Sequence, residues 1–142
     1  MAYPIQVVVD CADPGRLAQF WAAALHCVVQ PPPPGYATWD DFLREMGVPE
    51  EEWTSRSAVV DPDGSGPRIF FQRVPEPKAA KNRVHLDVRA GGELAGAARQ
   101  ERLTEEVQRL TELGAGQIRS VDEMGERWIV MRDPEGNEFC VT

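Results

Sequence analysis

Apolar and polar residues alternate in short runs along this chain, and proline and glycine separate the runs. Ile5-Gln6-Val7-Val8-Val9-Asp10-Cys11 is β-branched and bounded by Pro4 and Asp13-Pro14, which predicts a strand. Asp13-Pro14 predicts the start of a helix, with the aspartate as N-cap and proline in the first turn. Leu17, Phe20, Trp21, Ala24 and Leu25 fall on one face of that helix. A short strand is predicted over 26–30, and Pro31 to Gly35 can only be an extended loop. Residues 39–53 differ in character: Asp40, Asp41, Glu45, Glu50, Glu51 and Glu52 surround Phe42, Leu43 and Met46, which predicts one or two short acidic helices, a surface insertion or a lid. Strands follow at 57–61 and 68–73 around the turn cluster Asp61-Pro62-Asp63-Gly64, and 75–81 reads as a linker.

The order then repeats. Arg83-Val84-His85-Leu86-Asp87-Val88-Arg89 alternates cleanly as a strand. A long helix is predicted within 93–113, with Leu103, Val107, Leu110 and Leu113 as its stripe and Gly114 as its stop. Strands at 117–121, 127–131 and 138–141 complete the second half, the last two joined by Asp133-Pro134-Glu135-Gly136-Asn137. The chain therefore reads βαβββ, linker, βαβββ, an α+β class with module one over about 3–74, the linker over about 75–81 and module two over about 82–142. Each half alone buries little surface, so a single domain made of both is expected.

Composition narrows the functional classes. The chain has 142 residues, with 23 Asp and Glu against 15 Lys and Arg, a net charge of -8. Such a surface repels phosphate backbones and anionic lipid, so neither nucleic acid nor a membrane is an expected partner. No apolar run nears the roughly 20 residues that span a bilayer. No signal peptide is visible, and three widely spaced cysteines (Cys11, Cys27, Cys140) without a CxxC fit a reducing compartment, so a cytoplasmic location is expected. GxxxxGK(S/T), GxGxxG, HExxH and GxSxG are all missing, which argues against nucleotide hydrolysis, Rossmann cofactors, zincin proteolysis and hydrolase elbows.

Val9-Asp10-Cys11-Ala12-Asp13-Pro14 leading into Phe20-Trp21-Ala22-Ala23-Ala24-Leu25, the stretch Asn82 to Val88, and the closing Arg132-Asp133-Pro134-Glu135-Gly136-Asn137-Glu138-Phe139 resemble the vicinal oxygen chelate superfamily in its glyoxalase-like domain branch. Only about residues 31–56 fall outside the resemblance. It implies two βαβββ modules whose sheets form an open, curved, barrel-like surface with helices outside and a ligand in the cleft. Metal-dependent members place four ligands on the first and last strands of each module; the matching positions here are Gln6, Gln72, His85 and Cys140. Period-two alternation agrees with that facing, since Ile5, Val7 and Val9 would cover a helix while Gln6 and Val8 point the other way. The ligand-contacting residues expected are Gln6, Val8, Phe70, Gln72, His85, Asp87, Trp128 and Cys140.

The departures from the family pattern decide the functional expectation. Gln72 and Cys140 stand where carboxylates are typical, and hard or borderline divalent ions favour anionic oxygen and imidazole. Asp87 and Glu138 lie two residues away, about 6–7 Å along a strand, and are expected to pair with arginines. No cofactor is expected; a divalent metal, if present, would use Gln6 and His85. A small-molecule binding protein is the leading expectation, as in the bleomycin-resistance relatives. The alternative is a divalent-metal-dependent lyase, isomerase or dioxygenase. A Cys140–His85 pair, with Asp87 the one candidate to orient the imidazole, would lower the thiol pKa and supply a nucleophile. Homodimers are frequent among such relatives.

Overall fold

The computed structural model describes residues 1–142. Its elements run β1 (Val7–Cys11), α1 (Pro14–Leu25), β2 (Val28–Val29), α2 (Trp39–Glu45), a 3-10 turn (Glu50–Glu52), β3 (Arg56–Val60), β4 (Ile69–Arg73), β5 (Asp87–Val88), α3 (Gly96–Glu112), β6 (Gly116–Glu123), β7 (Glu126–Arg132) and β8 (Glu138–Val141). The class is α+β, with two four-stranded sheets, neither closed into a barrel. The chain divides into two compact units, Met1–Pro77 and Lys78–Thr142.

In the first unit the sheet order is β1-β4-β3-β2, with β1 parallel to β4 and the other pairs antiparallel. Asp13 caps α1 as its sequence predicts: Arg16 N donates to Asp13 Oδ1 at 3.1 Å, and Pro14 occupies the first turn, where no N–H is needed. The helix ends at His26, whose left-handed backbone (φ 56) turns the chain back toward β2. Leu17, Ala18, Phe20 and Trp21 are buried on the helix face, which packs on β3 and β4. Cys11, Val59, Ile69 and Phe71 are buried on the sheet side. Ile5 does not join them. It precedes β1, has no ladder partner and is 81% exposed. Asp13→Ala should cost about 1 kcal/mol through the lost cap, read as a lower urea midpoint at unchanged m-value.

The acidic insertion folds as the short α2 and the 3-10 turn. Its tryptophans are spent on the segment's own architecture. Trp39 Nε1 donates to Gln30 O at 2.8 Å, and Trp53 Nε1 donates to Val48 O at 2.9 Å. Tyr36, Phe42 and Trp39 meet edge to face, and the Arg44 guanidinium lies 5.1 Å from the Trp53 ring centre.

In the second unit the order is β5-β8-β7-β6, again with the first pair parallel. Leu103 and Leu110 of α3 are buried, and the helix packs on β6, β7 and β8. On the sheet side Ile129, Met131, Phe139 and Val141 are buried. The strand predicted over 83–89 contracts to Asp87–Val88, and Val84 is 81% exposed. Its parallel partner β8 is only four residues long. The ladder reaches back no further than Leu86, whose carbonyl accepts from Cys140 N. Beyond that point a side chain replaces the ladder, because Asn82 N donates to Glu138 Oε2 at 2.9 Å.

Each unit turns between its last two strands with the same device. Asp61 accepts from Asp63 N and Gly66 N, and Asp133 accepts from Glu135 N and Asn137 N. Gly64 and Gly136 hold the matching left-handed position, with φ of 74 and 88. Positive φ at that step is what glycine permits without a Cβ clash.

Candidate functional site

Helices cover one face of each sheet, and the chemistry-bearing residues lie on the other. In the first unit the register pairs Val8 with Phe70 and Asp10 with Gln72, and Phe70 with Ala58. Cross-strand partners share a face. Val8, Phe70 and Gln72 therefore lie on the side opposite α1, and alternation puts Gln6 and Arg68 with them. Gln72 Nε2 donates to Asp10 Oδ1 at 2.8 Å. Arg68 was not singled out by the sequence, yet it organises this face. Its Nη1 donates to Gln6 Oε1 at 2.6 Å, its Nε donates to Gln30 Oε1 at 2.8 Å, and its guanidinium carbon lies 5.1 Å from the Phe70 ring centre. The signal that could have found it is its spacing: two residues before Phe70 and four before Gln72.

In the second unit one cross-strand row runs Asp87, Cys140, Val130, Arg119, with Trp128 two residues along β7 from Val130 on the same face. His85 joins from the segment just before β5. His85 Nε2 lies 3.5 Å from Asp87 Oδ1, and donor atoms of His85, Asp87 and Cys140 all lie within 4.8 Å of one another. Asp87, the one candidate to orient the imidazole, does face it, and the side chains close much of the roughly 6–7 Å that separates the two positions along a strand.

Two further expectations fail on charge. Neither Asp87 nor Glu138 pairs with an arginine. Asp87 faces His85, and Glu138 pairs with Lys78 at 3.2 Å. The Asn82 amide and Lys78 hold Glu138 below the usual carboxylate range. Stability from that lowered pKa is complete above the ordinary glutamate value of about 4.3 and fades as pH falls through the lower folded value. Glu138→Gln should therefore be less stable than the parent at pH 7, with the gap in urea midpoints closing on acidification to about pH 3.

Cys140 is buried, and its thiol is pushed up by that burial first and by the Asp87 charge second, against the opposing pull of Lys81 and Arg119; it also shares a hydrogen bond with Asp87. A nucleophilic dyad needs the reverse shift. Labelling of Cys140 by a thiol reagent should follow a midpoint above that of a free cysteine, and Asp87→Asn should lower the midpoint. A midpoint below the free value would restore the dyad.

The four positions matched to the family's metal ligands do not fit a hard divalent ion. Gln6 Oε1, the atom that would bind the cation, faces the guanidinium of Arg68. Gln72 is neutral, and its amide nitrogen is turned to Asp10. Cys140 must lose a proton that its surroundings retain.

Two βαβββ units, one with amide and aromatic groups on its open sheet face and the other with imidazole, thiol and aromatic groups, are consistent with the vicinal oxygen chelate architecture. The glyoxalase-like domain model matches residues 6–142, and the chain belongs to that family within the superfamily. Solved structures agree in fold. A variant of the fosfomycin resistance protein FosX from Listeria monocytogenes, complexed with Mn(II) and 1S,2S-dihydroxypropylphosphonic acid, is 10% identical, covering 99% of this chain and 91% of its own, with TM-score 0.63. FosX from Mesorhizobium loti is 13% identical over 99% and 90%, with TM-score 0.61. A glyoxalase/bleomycin resistance protein/dioxygenase family enzyme from Burkholderia phytofirmans PsJN is 15% identical over 96% and 94%, with TM-score 0.59. No curated protein matches the chain. No helix is long and apolar enough to cross a membrane.

Proposed function

We propose that this glyoxalase-like domain binds a small organic molecule on the open faces of its sheets without a firmly held metal ion. The observation that carries this reading is the Arg68 guanidinium 2.6 Å from Gln6 Oε1. A fixed positive charge there opposes a cation at that oxygen and leaves the face suited to an uncharged or anionic guest. Val8, 48% exposed, and the half-buried Phe70 supply apolar surface on the same face. On the second sheet Trp128, His85 and Asp87 supply an aromatic plane and polar contacts, with Cys140 a protonated thiol of the wall. Small-molecule sites commonly combine apolar surface with a few fixed polar groups.

The second reading, a divalent-metal-dependent lyase, isomerase or dioxygenase, is favoured by one observation: the donors of His85, Asp87 and Cys140 cluster within 4.8 Å. FosX complexed with Mn(II) is a relative in fold that holds a metal. Imidazole, carboxylate and thiolate would suit a borderline ion such as zinc rather than Mg or Mn.

Thermal unfolding with and without Mn(II), Ni(II) or Zn(II), together with the metal content of gently purified protein, separates the two. A ligand of the native state raises Tm by mass action. Our reading expects substoichiometric metal and a Tm change below about 1 °C, which for a domain of this size is a small fraction of a kcal/mol. A stoichiometric ion, or a shift of several degrees that His85→Ala removes, would establish the second reading instead.

A further inference from the structure

The cationic group that excludes a metal from the first sheet has a second consequence. Arg68 is half-buried and makes no ion pair, although the chain carries 23 acidic residues. Arg44 and Arg109 each have a carboxylate partner, Asp41 and Glu106. Arg68 has instead two neutral amide oxygens, from Gln6 and Gln30. Amide acceptors fix the orientation of a guanidinium without neutralising it. Gln30 is itself held, its N–H donating to Ala58 O and its carbonyl accepting from Trp39 Nε1. The Phe70 ring centre lies 5.1 Å from the guanidinium carbon, a cation–π contact that further fixes its position. Of the five N–H hydrogens of an arginine, these two bonds use two, which leaves three, including both on Nη2, uncommitted.

We propose that Arg68 seats the oxyanion of the small ligand, a carboxylate, sulfonate or phosphonate, with the ligand's apolar body lying along Val8. The proposal rests on the binding reading above and names its ligand class. Two oxygens on one atom, which all three groups offer, match the guanidinium fork with two parallel hydrogen bonds. The amides of Gln6 and Gln30 hold the fork in place before the ligand arrives, so little ordering remains to be done on binding. Both glutamines are positioning residues; Arg68 alone meets the anion.

The test uses the full chain, labelled with 15N, and three probes built on one benzene ring: benzoate, benzenesulfonate and neutral benzamide, the first and last of like shape. The observed signals are the Arg68 Nε–H and the backbone amides of Val8 and Phe70. Both anions should move all three signals and bind at least about tenfold more tightly than benzamide, a difference of about 1.4 kcal/mol. Arg68→Gln should reduce that preference to less than about twofold while benzamide binding is retained. Arg68→Lys keeps the charge but not the fork and should retain part of the preference, with an unchanged spectrum elsewhere as the check on folding. Equal binding of benzoate and benzamide would overturn the anion seat and leave the binding reading standing. Anions that move Arg68 but not Val8 would uphold the seat and remove the organic ligand from this face. Silence of all three signals up to about 10 mM, weaker than any site worth about 3 kcal/mol, would remove both.

Discussion

Phe71→Ala is expected to lower the stability of the protein by about 3–5 kcal/mol, the cost of deleting a fully buried aromatic ring and leaving a cavity. Phe71 sits in the middle of β4 with no exposed surface, between β1 and β3, on the face that α1 covers. Its register partners there are Val9 and Ser57, neither large enough to fill the space it would vacate. A domain of ordinary stability has about 5–15 kcal/mol in all, so the loss is a large fraction of the total. Equilibrium urea unfolding checks it. Phe70→Ala, one residue away on the open face, is the internal comparison: that ring is half-buried and should cost clearly less. If the two variants lost equal stability, the assignment of covered and open faces in this sheet would be wrong.

What the amino-acid pattern reveals here follows the range of the interactions. Local signals are plain. Asp13-Pro14 announces α1, and the two Asp-Pro-Xaa-Gly turns announce a duplicated unit, because capping and turn formation act within four residues. The alternation that set Gln6 and Val8 opposite Val7 and Val9 agrees with the register of β1 on β4, and Gln72 and Cys140, matched through the family resemblance, also lie on the open faces. Signals at the ends of strands mislead. Ile5 and Val84 are β-branched and correctly alternating, yet both stand in solvent because their parallel partners β4 and β8 begin only at Ile69 and Glu138, past the level at which they could pair. A strand needs a partner as well as a composition.

The electrostatic features were the least visible. Gln6 and Arg68 are 62 positions apart, and only the parallel pairing of β1 with β4 brings them together. Asp87 and His85, two residues apart, approach to 3.5 Å, nearer than the spacing along a strand implies. Both contacts change the chemistry. One puts a cation where the family expects a metal donor, and the other engages a carboxylate that, as the ladder partner of Cys140, adds to burial in raising that thiol's pKa. The fold is thus fixed by patterns that repeat, whereas the character of the site depends on single pairs, Gln6 with Arg68 and Asp87 with its neighbours His85 and Cys140.

The duplicated turn offers a controlled comparison, because the same motif stands in two environments. Asp133 is 3% exposed and accepts from the amides of Glu135 and Asn137 and from Asn137 Nδ2. Asp61 makes the equivalent bonds to Asp63, Ser65 and Gly66 at the surface. Removing a buried acceptor leaves its donors without partners, at about 1–3 kcal/mol for each group that water cannot reach. The donors around Asp133 are half-buried, so Asp133→Ala is expected to cost about 2–4 kcal/mol, between one unpaired donor and full loss of three. At Asp61 water replaces the lost acceptor, and Asp61→Ala should cost less than about 1 kcal/mol. Asp133→Asn, which keeps one carbonyl oxygen in place, should fall between. Urea midpoints of the three variants decide the matter. Equal losses at Asp61 and Asp133 would mean that the turn contributes through its shape alone, and that burial adds nothing to the value of its carboxylate.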